Sequence, residues 1–190
     1  TPRSSRIEGV DKVVAFGLQY FLRKLNEEWD EFFASDIELT LNNYRLWVSE
    51  YLGVKKEEVY TKHLEELHKL GYLPLKFCAV TEGKLVTLKC QMFTVENTHP
   101  SAFWLTNYVE TIASNRLWMG STSATVARRM RKMLERKALA SGADTSFVDW
   151  QGHDFSMRGM SGLEAACLSG AAHLIYFKGT DTVPAIRFIQ

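Results

Sequence analysis

The stretch from His153 to Val183, HDFSMRGMSGLEAACLSGAAHLIYFKGTDTV, constrains this chain more than any other. A polar aromatic cluster, a run of small side chains, an apolar run and a second polar cluster follow one another within it. His153, Asp154 and Phe155 read as the end of a strand, with Arg158 at the turn and a helix from Gly159 to Ala172. That helix carries Gly162, Ala165, Ala166, Gly170, Ala171 and Ala172, side chains small enough to let it lie close against a sheet. Leu174 to Phe177 then reads as a second strand, closed by Lys178, Gly179, Thr180, Asp181 and Thr182. Strand, helix and parallel strand connect with one handedness, so both polar clusters are expected at the same sheet edge, where α/β folds gather their binding sites.

The residue types at that edge suggest a planar ligand. A flat aromatic face such as Phe155 can stack on a heterocycle, which by analogy with aromatic pairs adds roughly 0.5–1.5 kcal/mol to area burial. Arg158 offers donors and Asp181 accepts. A carboxylate facing an amide NH2 is a favourable pairing, whereas facing a second carboxylate it is repulsive, so Asp181 would choose an amide over an acid.

The remaining chain reads as helices with a few short strands. An apolar face over residues 11–28, with Val13, Val14, Phe16, Leu18, Phe21 and Leu25, predicts a buried helix. Asp36 reads as the N-cap of a second helix closed by Gly53, and Lys55–Leu70 as a charged amphipathic stretch stopped by Gly71 and Pro74. KFCAV, KLVTL and QMFTV between residues 76 and 95 read as antiparallel strands. His99 and Pro100 introduce a helix through Arg116. Ser121 or Ser123 caps the next helix, which runs to about Ser141, and Phe147–Trp150 begins the first strand of a second domain.

Composition removes several classes of function. With 23 basic and 22 acidic residues the chain has a formal charge of +1, no electrostatic footprint for nucleic acid or an anionic membrane. There is no run of 18 or more apolar residues and no visible secretory signal, which predicts neither a membrane span nor export. Cys78, Cys90 and Cys167 are odd in number and lack metal-type spacing, so they read as reduced thiols of a cytoplasmic protein. His63 and His68 lack an HExxH arrangement and read as surface residues; no metal ligands are assigned. RRMRKMLERK at 128–137 is interrupted by Met130, Met133 and Leu134 and reads as a solvated amphipathic face. His153 reads as support for the strand end, His173 as a hydrogen-bonded structural residue, and Glu96 and Asn97 as ordering a turn. GTDT lacks P-loop spacing, which excludes a nucleotide P-loop.

HDFSMRG, the small-residue helix and FKGTDT together resemble the barrel segment of the nicotinamide phosphoribosyltransferase family. MFTVENTHPSAFWLTNYVETI at 92–112 resembles that family's FTVENT, WLTN and ET blocks, and FGLQYFL at 16–22 its early helix. The resemblance implies an α/β protein. An α+β first domain with an antiparallel sheet would cover residues 1–145, and the first strands and helix of an irregular β/α barrel, of the type II phosphoribosyltransferase kind, residues 146–190. It implies transfer of a phosphoribosyl group from 5-phosphoribosyl 1-pyrophosphate to nicotinamide in NAD salvage, with Mg2+ on the pyrophosphate.

By the same resemblance Phe155 stacks on the ring, Arg158 lies beside the carboxamide oxygen and Asp181 accepts from the amide nitrogen. No catalytic residue falls in the segment. The family's second stacking aromatic, a tyrosine supplied by the other subunit, has no match before Val13, and that sharing of the site implies a homodimer. The family's ATP-phosphorylated histidine and its phosphate-binding segments lie beyond the equivalent of Gln190. The chain is therefore expected to be a piece of a longer polypeptide, inactive alone. Two alternatives stand beside this reading: a nicotinate phosphoribosyltransferase, and a non-catalytic nicotinamide-binding module.

Overall fold

The structure is a computed structural model that describes residues 1–188. It is an α/β fold of helices and short strands. The elements are β1 (Lys12–Val14), α1 (Leu18–Ala34), α2 (Ile37–Leu52), α3 (Lys62–Leu70), β2 (Leu75–Ala79), β3 (Leu85–Thr87), β4 (Phe93–Asn97) and α4 (Leu105–Ala140). They are followed by α5 (Val148–Gln151), β5 (His153–Asp154), α6 (Ser156–Gly159), α7 (Leu163–Leu174), β6 (Gly179–Thr180) and α8 (Pro184–Phe188). Two compact units result, one of residues 1–21, 79–93 and 111–190, the other of residues 22–78 and 94–110.

The second of these units is mainly helical. Asp36 caps α2 as expected, its side chain accepting from the Glu38 and Leu39 amides, and Gly53 closes the helix at φ 67°. Gly71 closes α3 in the same left-handed conformation, which costs glycine no Cβ clash. The stretch from Lys55 is not one helix: a 3-10 turn covers Lys56–Glu58, and α3 starts only at Lys62. Leu41, Leu64, Leu67, Leu105 and Val109 are buried. His63 and His68 are half-buried rather than on the surface. His63 lies edge-on to Trp104 at 4.7 Å and stacks on Tyr60 at 5.4 Å, and the His68 Nε2 is 3.2 Å from the Ser35 carbonyl oxygen. Asn97 orders its turn, donating from Nδ2 to the Phe103 carbonyl at 3.1 Å.

The first unit carries β1, β3, β5 and β6, whereas β2 and β4 fall mainly in the second. The helix expected from residue 11 begins only at Leu18, because Val13 and Val14 belong to β1, which pairs antiparallel with β3 in the register Val13↔Val86. KFCAV, KLVTL and QMFTV therefore do not form one meander: β3 pairs with β1, and β2 pairs with β4. The two helices expected on either side of Ser121 are one helix of 36 residues. Its polar residues do not cap. The Ser121 hydroxyl donates to the Phe16 carbonyl at 3.2 Å, and the Ser123 hydroxyl meets that of Ser169 at 3.1 Å. Ala113, Leu117, Gly120, Ala124 and Ala127 recur every three or four residues, giving α4 a continuous buried stripe with no reason to break.

Two small cores meet at Tyr176. Val14, Ala124 and Ala172 form one with Phe16; Ala127, Ala138, Val148 and Phe177 form the other with Leu134. Arg131 on α4, within the cluster read as solvated, pairs with Asp149 at 2.6 Å and Glu135 at 2.7 Å and donates to the Tyr176 carbonyl. It ties α4 to α5 and to the turn after α7. Asp149 also receives Lys178 at 2.7 Å, and these two hydrogen-bonded cations hold its carboxyl below the usual aspartate value.

Candidate functional site

The site is built on the shortest sheet of the fold. β5 and β6 are parallel, with His153 beside Gly179 and Asp154 beside Thr180. The ladder continues one step beyond the strands, where the Asp181 amide donates to the Asp154 carbonyl at 2.8 Å. Phe155 and Asp181 thus leave the sheet at the same edge, as a strand, helix and parallel strand require.

The surrounding elements differ from expectation in three places. Val148–Gln151 is a helical turn and not a strand, held by amide bonds from Val148 to Thr145 and from Trp150 to Phe147. The helix expected from Gly159 starts only at Leu163 as α7, and the turn expected at Arg158 is the short helix α6, separated from it by Met160–Gly162. The apolar run Leu174–Phe177 is not a strand either. Its backbone turns off the end of α7, with the Tyr176 and Phe177 amides bonding back to the His173 carbonyl, while Phe177 is 2% exposed in the core. An apolar run of that length fits a buried strand and a buried helix end equally well, and tertiary packing decided between them.

The small residues of α7 do what their size allows. Ala166, Gly170, Ala171 and Ala172 are all buried. A Cβ on Gly170 would lie 2.9 Å from the Ala185 methyl and 3.0 Å from the Asp154 Oδ2, so the helix backbone approaches the strand ends at a distance only glycine permits.

Asp154, 8% exposed, is the polar centre beneath the edge. Its Oδ1 accepts from the Ser156 amide and from the Ser156 hydroxyl, and its Oδ2 from the Thr180 hydroxyl at 3.1 Å. Burial pushes its carboxyl upward, but the donors of Ser156, Thr182 and Thr180 outweigh that and hold it below the ordinary aspartate value. Thr182 is fully buried and its hydroxyl oxygen accepts from the Met157 amide at 3.1 Å, which ties α6 to the second polar cluster. His173 stacks on Phe177 at 4.9 Å, and burial holds its imidazole below the usual histidine value.

Above this layer stand the three residues singled out from the sequence, and they are together. Phe155 is 50% exposed. The Arg158 guanidinium lies 5.3 Å from the centre of the Phe155 ring and 3.7 Å from the Asp181 Oδ2. His153, read as strand-end support, is part of the same group: its Nε2 is 3.0 Å from the Asp181 Oδ1, and its ring is 4.8 Å from that of Phe155. The strand period carried this information, since His153 and Phe155 are two apart and share a face while Asp154 points to the other.

Among the described residues, no group of three or more His, Cys, Asp or Glu side chains is gathered to hold a metal ion. Cys78 and Cys90 are exposed, Cys167 is buried, and all three are free. No described helix is long and apolar enough to cross a membrane.

Comparison with known proteins gives the class first. Residues 150–190, which contain the whole edge, match the family model described as the Nicotinate phosphoribosyltransferase (NAPRTase) family. A nicotinamide phosphoribosyltransferase of Acinetobacter baylyi is 45% identical to this chain over 197 aligned positions, covering 100% of the chain and 39% of that relative. One of Mycoplasma genitalium is 32% identical, covering 82% of this chain and 40% of the relative. One of Mycoplasma pneumoniae is 45% identical over 63% of this chain and 27% of the relative. The chain belongs to the nicotinamide phosphoribosyltransferase family and spans about two fifths of the length of the first two of these relatives.

Proposed function

We propose that this chain forms the ring-recognition part of an enzyme that makes nicotinamide mononucleotide and pyrophosphate from nicotinamide and 5-phosphoribosyl 1-pyrophosphate. The observation that carries the reading is the grouping of Phe155, Arg158 and Asp181 at one sheet edge. The names of the relatives support the same reaction. In this reading Phe155 stacks on the pyridine, the Arg158 guanidinium donates to the carboxamide oxygen, and the Asp181 carboxylate accepts from the carboxamide NH2.

The pyridine nitrogen displaces pyrophosphate at the ribose carbon through an oxocarbenium-like state. Residues at this edge contribute by holding the ring nitrogen on line, a matter of orientation rather than proton transfer. Magnesium would accompany the pyrophosphate and stabilise its departing charge. A homodimer with a shared site belongs to the same proposal, because a two-fold interface lets each subunit complete the other.

The test is a side-by-side assay of the full-length protein with 5-phosphoribosyl 1-pyrophosphate and either nicotinamide or nicotinate. Preferential formation of nicotinamide mononucleotide is expected. Preference for nicotinate would transfer the chain to the sibling activity, and turnover of neither with retained nicotinamide binding would make it a binding module.

A further inference from the structure

We propose that His153 is a positioning residue of the ring site: its Nε2–H holds the Asp181 carboxylate in the orientation that accepts from a carboxamide, and Gly179 is the gap in which its imidazole is seated. This rests on the reading of Asp181 as the amide acceptor. An ionised carboxylate has only lone pairs to offer, so the 3.0 Å contact from Nε2 to Oδ1 requires the proton on Nε2. That bond engages Oδ1 and leaves Oδ2 to other partners. Arg158 approaches Oδ2 at 3.7 Å with a side chain 78% exposed, a loose contact that a ligand can replace.

What holds the imidazole is visible in the backbone opposite. A Cβ built on Gly179 would lie 2.6 Å from the His153 Nδ1 and 3.2 Å from the Gly152 carbonyl oxygen. Any larger residue at 179 would displace the ring from the strand. On its other side the imidazole meets the Phe155 ring at 4.8 Å and an interplanar angle of 46°. One side chain therefore touches both the stacking aromatic and the accepting carboxylate, and its own place is set by a glycine on the neighbouring strand. Without it the Asp181 side chain, 46% exposed, would keep among the described residues only the long contact to Arg158.

The experiment uses the full-length protein and compares wild type with His153→Ala, His153→Gln, Gly179→Ala, the double variant His153→Ala with Gly179→Ala, and Asp181→Asn. KM and kcat are measured for nicotinamide and for 5-phosphoribosyl 1-pyrophosphate, with melting temperatures alongside. His153→Ala is expected to raise KM for nicotinamide about tenfold, the scale of one lost hydrogen bond to a charged group, and to leave KM for the phosphoribosyl donor unchanged. His153→Gln keeps an N–H near the Nε2 position and is expected to restore most of the loss, which a packing role would not do. Gly179→Ala should reproduce the effect of His153→Ala and add little to it in the double variant, since both act on the same ring. An unchanged or lowered KM in His153→Ala, or no rescue by glutamine, overturns the proposal even if Gly179→Ala folds poorly. If Asp181→Asn also leaves nicotinamide KM and ring preference unchanged, it is the reading of Asp181 that fails; if Asp181→Asn has its effect and His153→Ala does not, only the role of His153 is lost.

Discussion

The Asp181 amide donates to the Asp154 carbonyl at 2.8 Å, so the exposed carboxylate of the proposed ring site is anchored through the backbone of a buried one. Asp154 in turn is held by Ser156 and Thr180 hydroxyls from both polar clusters. The site is therefore two layers deep: hydroxyl donors fix Asp154 below, and Asp154 sets the strand from which Asp181 projects. In the proposed reaction, positioning of this kind would matter because a ring misplaced by a fraction of an ångström loses alignment with the ribose carbon.

Replacing Asp181 by Asn in the full-length enzyme removes the charge that repels an acid. The ratio of kcat/KM for nicotinamide over nicotinate is expected to fall by about tenfold or more, since a buried or half-buried carboxylate pair costs more than one hydrogen bond returns. Paired turnover measurements check it, and an unchanged ratio would remove Asp181 from specificity.

Phe155→Ala deletes the stacking face. The stacking increment alone, about 0.5–1.5 kcal/mol beyond area burial, corresponds to a rise of at least roughly twofold to tenfold in KM for nicotinamide. Phe155→Tyr keeps the ring and should stay near wild type. A leucine substitution as good as tyrosine would show that bulk, not stacking, is what the ligand uses.

Gly170→Ala sets two effects against each other. Alanine favours a helix over glycine by about 0.8–1 kcal/mol, but overpacking a close contact costs about 1–3 kcal/mol. The new Cβ would sit 2.9 Å from the Ala185 methyl, an atom with no rotamer to escape into, so net destabilisation is expected. Urea denaturation of wild type and variant measures the sign directly. A more stable variant would mean that α7 can move off the strand ends.

Asp154 makes a prediction about acid. Its folded-state pKa lies below the ordinary value because hydroxyl donors outweigh burial. A group of this kind contributes stability that is complete above the unfolded-state value, about 3.9, and is lost as pH falls from there through the folded-state value. Asp154→Asn should lower stability at pH 7 by about 1–3 kcal/mol and flatten the loss between pH 4 and lower pH. Equal acid sensitivity of variant and wild type would mean that other carboxylates carry the acid response.

Much of the recognition edge was legible in the sequence. HDF and FKGTD hold two-residue strands rather than the ends of the longer strands expected before them, but the helix between them is rich in small residues as read, and Phe155, Arg158 and Asp181 come to one edge as the sequence suggested. The caps at Asp36, Gly53 and Gly71 were equally plain, because each depends on one residue's own side chain or its own φ.

Tertiary structure decided what local pattern leaves open. Val13 and Val14 suit a helix face or a strand, and pairing with β3 made them a strand. Ser121 looks like a cap until its hydroxyl is claimed by the Phe16 carbonyl, which leaves α4 unbroken. Leu174–Phe177 was drawn into the end of α7 by the burial of Phe177 against Val148. His153 was one residue among several polar ones until Gly179, distant in sequence, opened the space that sets its ring beside Asp181. The period and chemistry of a segment determine which residues share an edge; which of them touch depends on backbone approaches between segments, and those are set only when the chain packs.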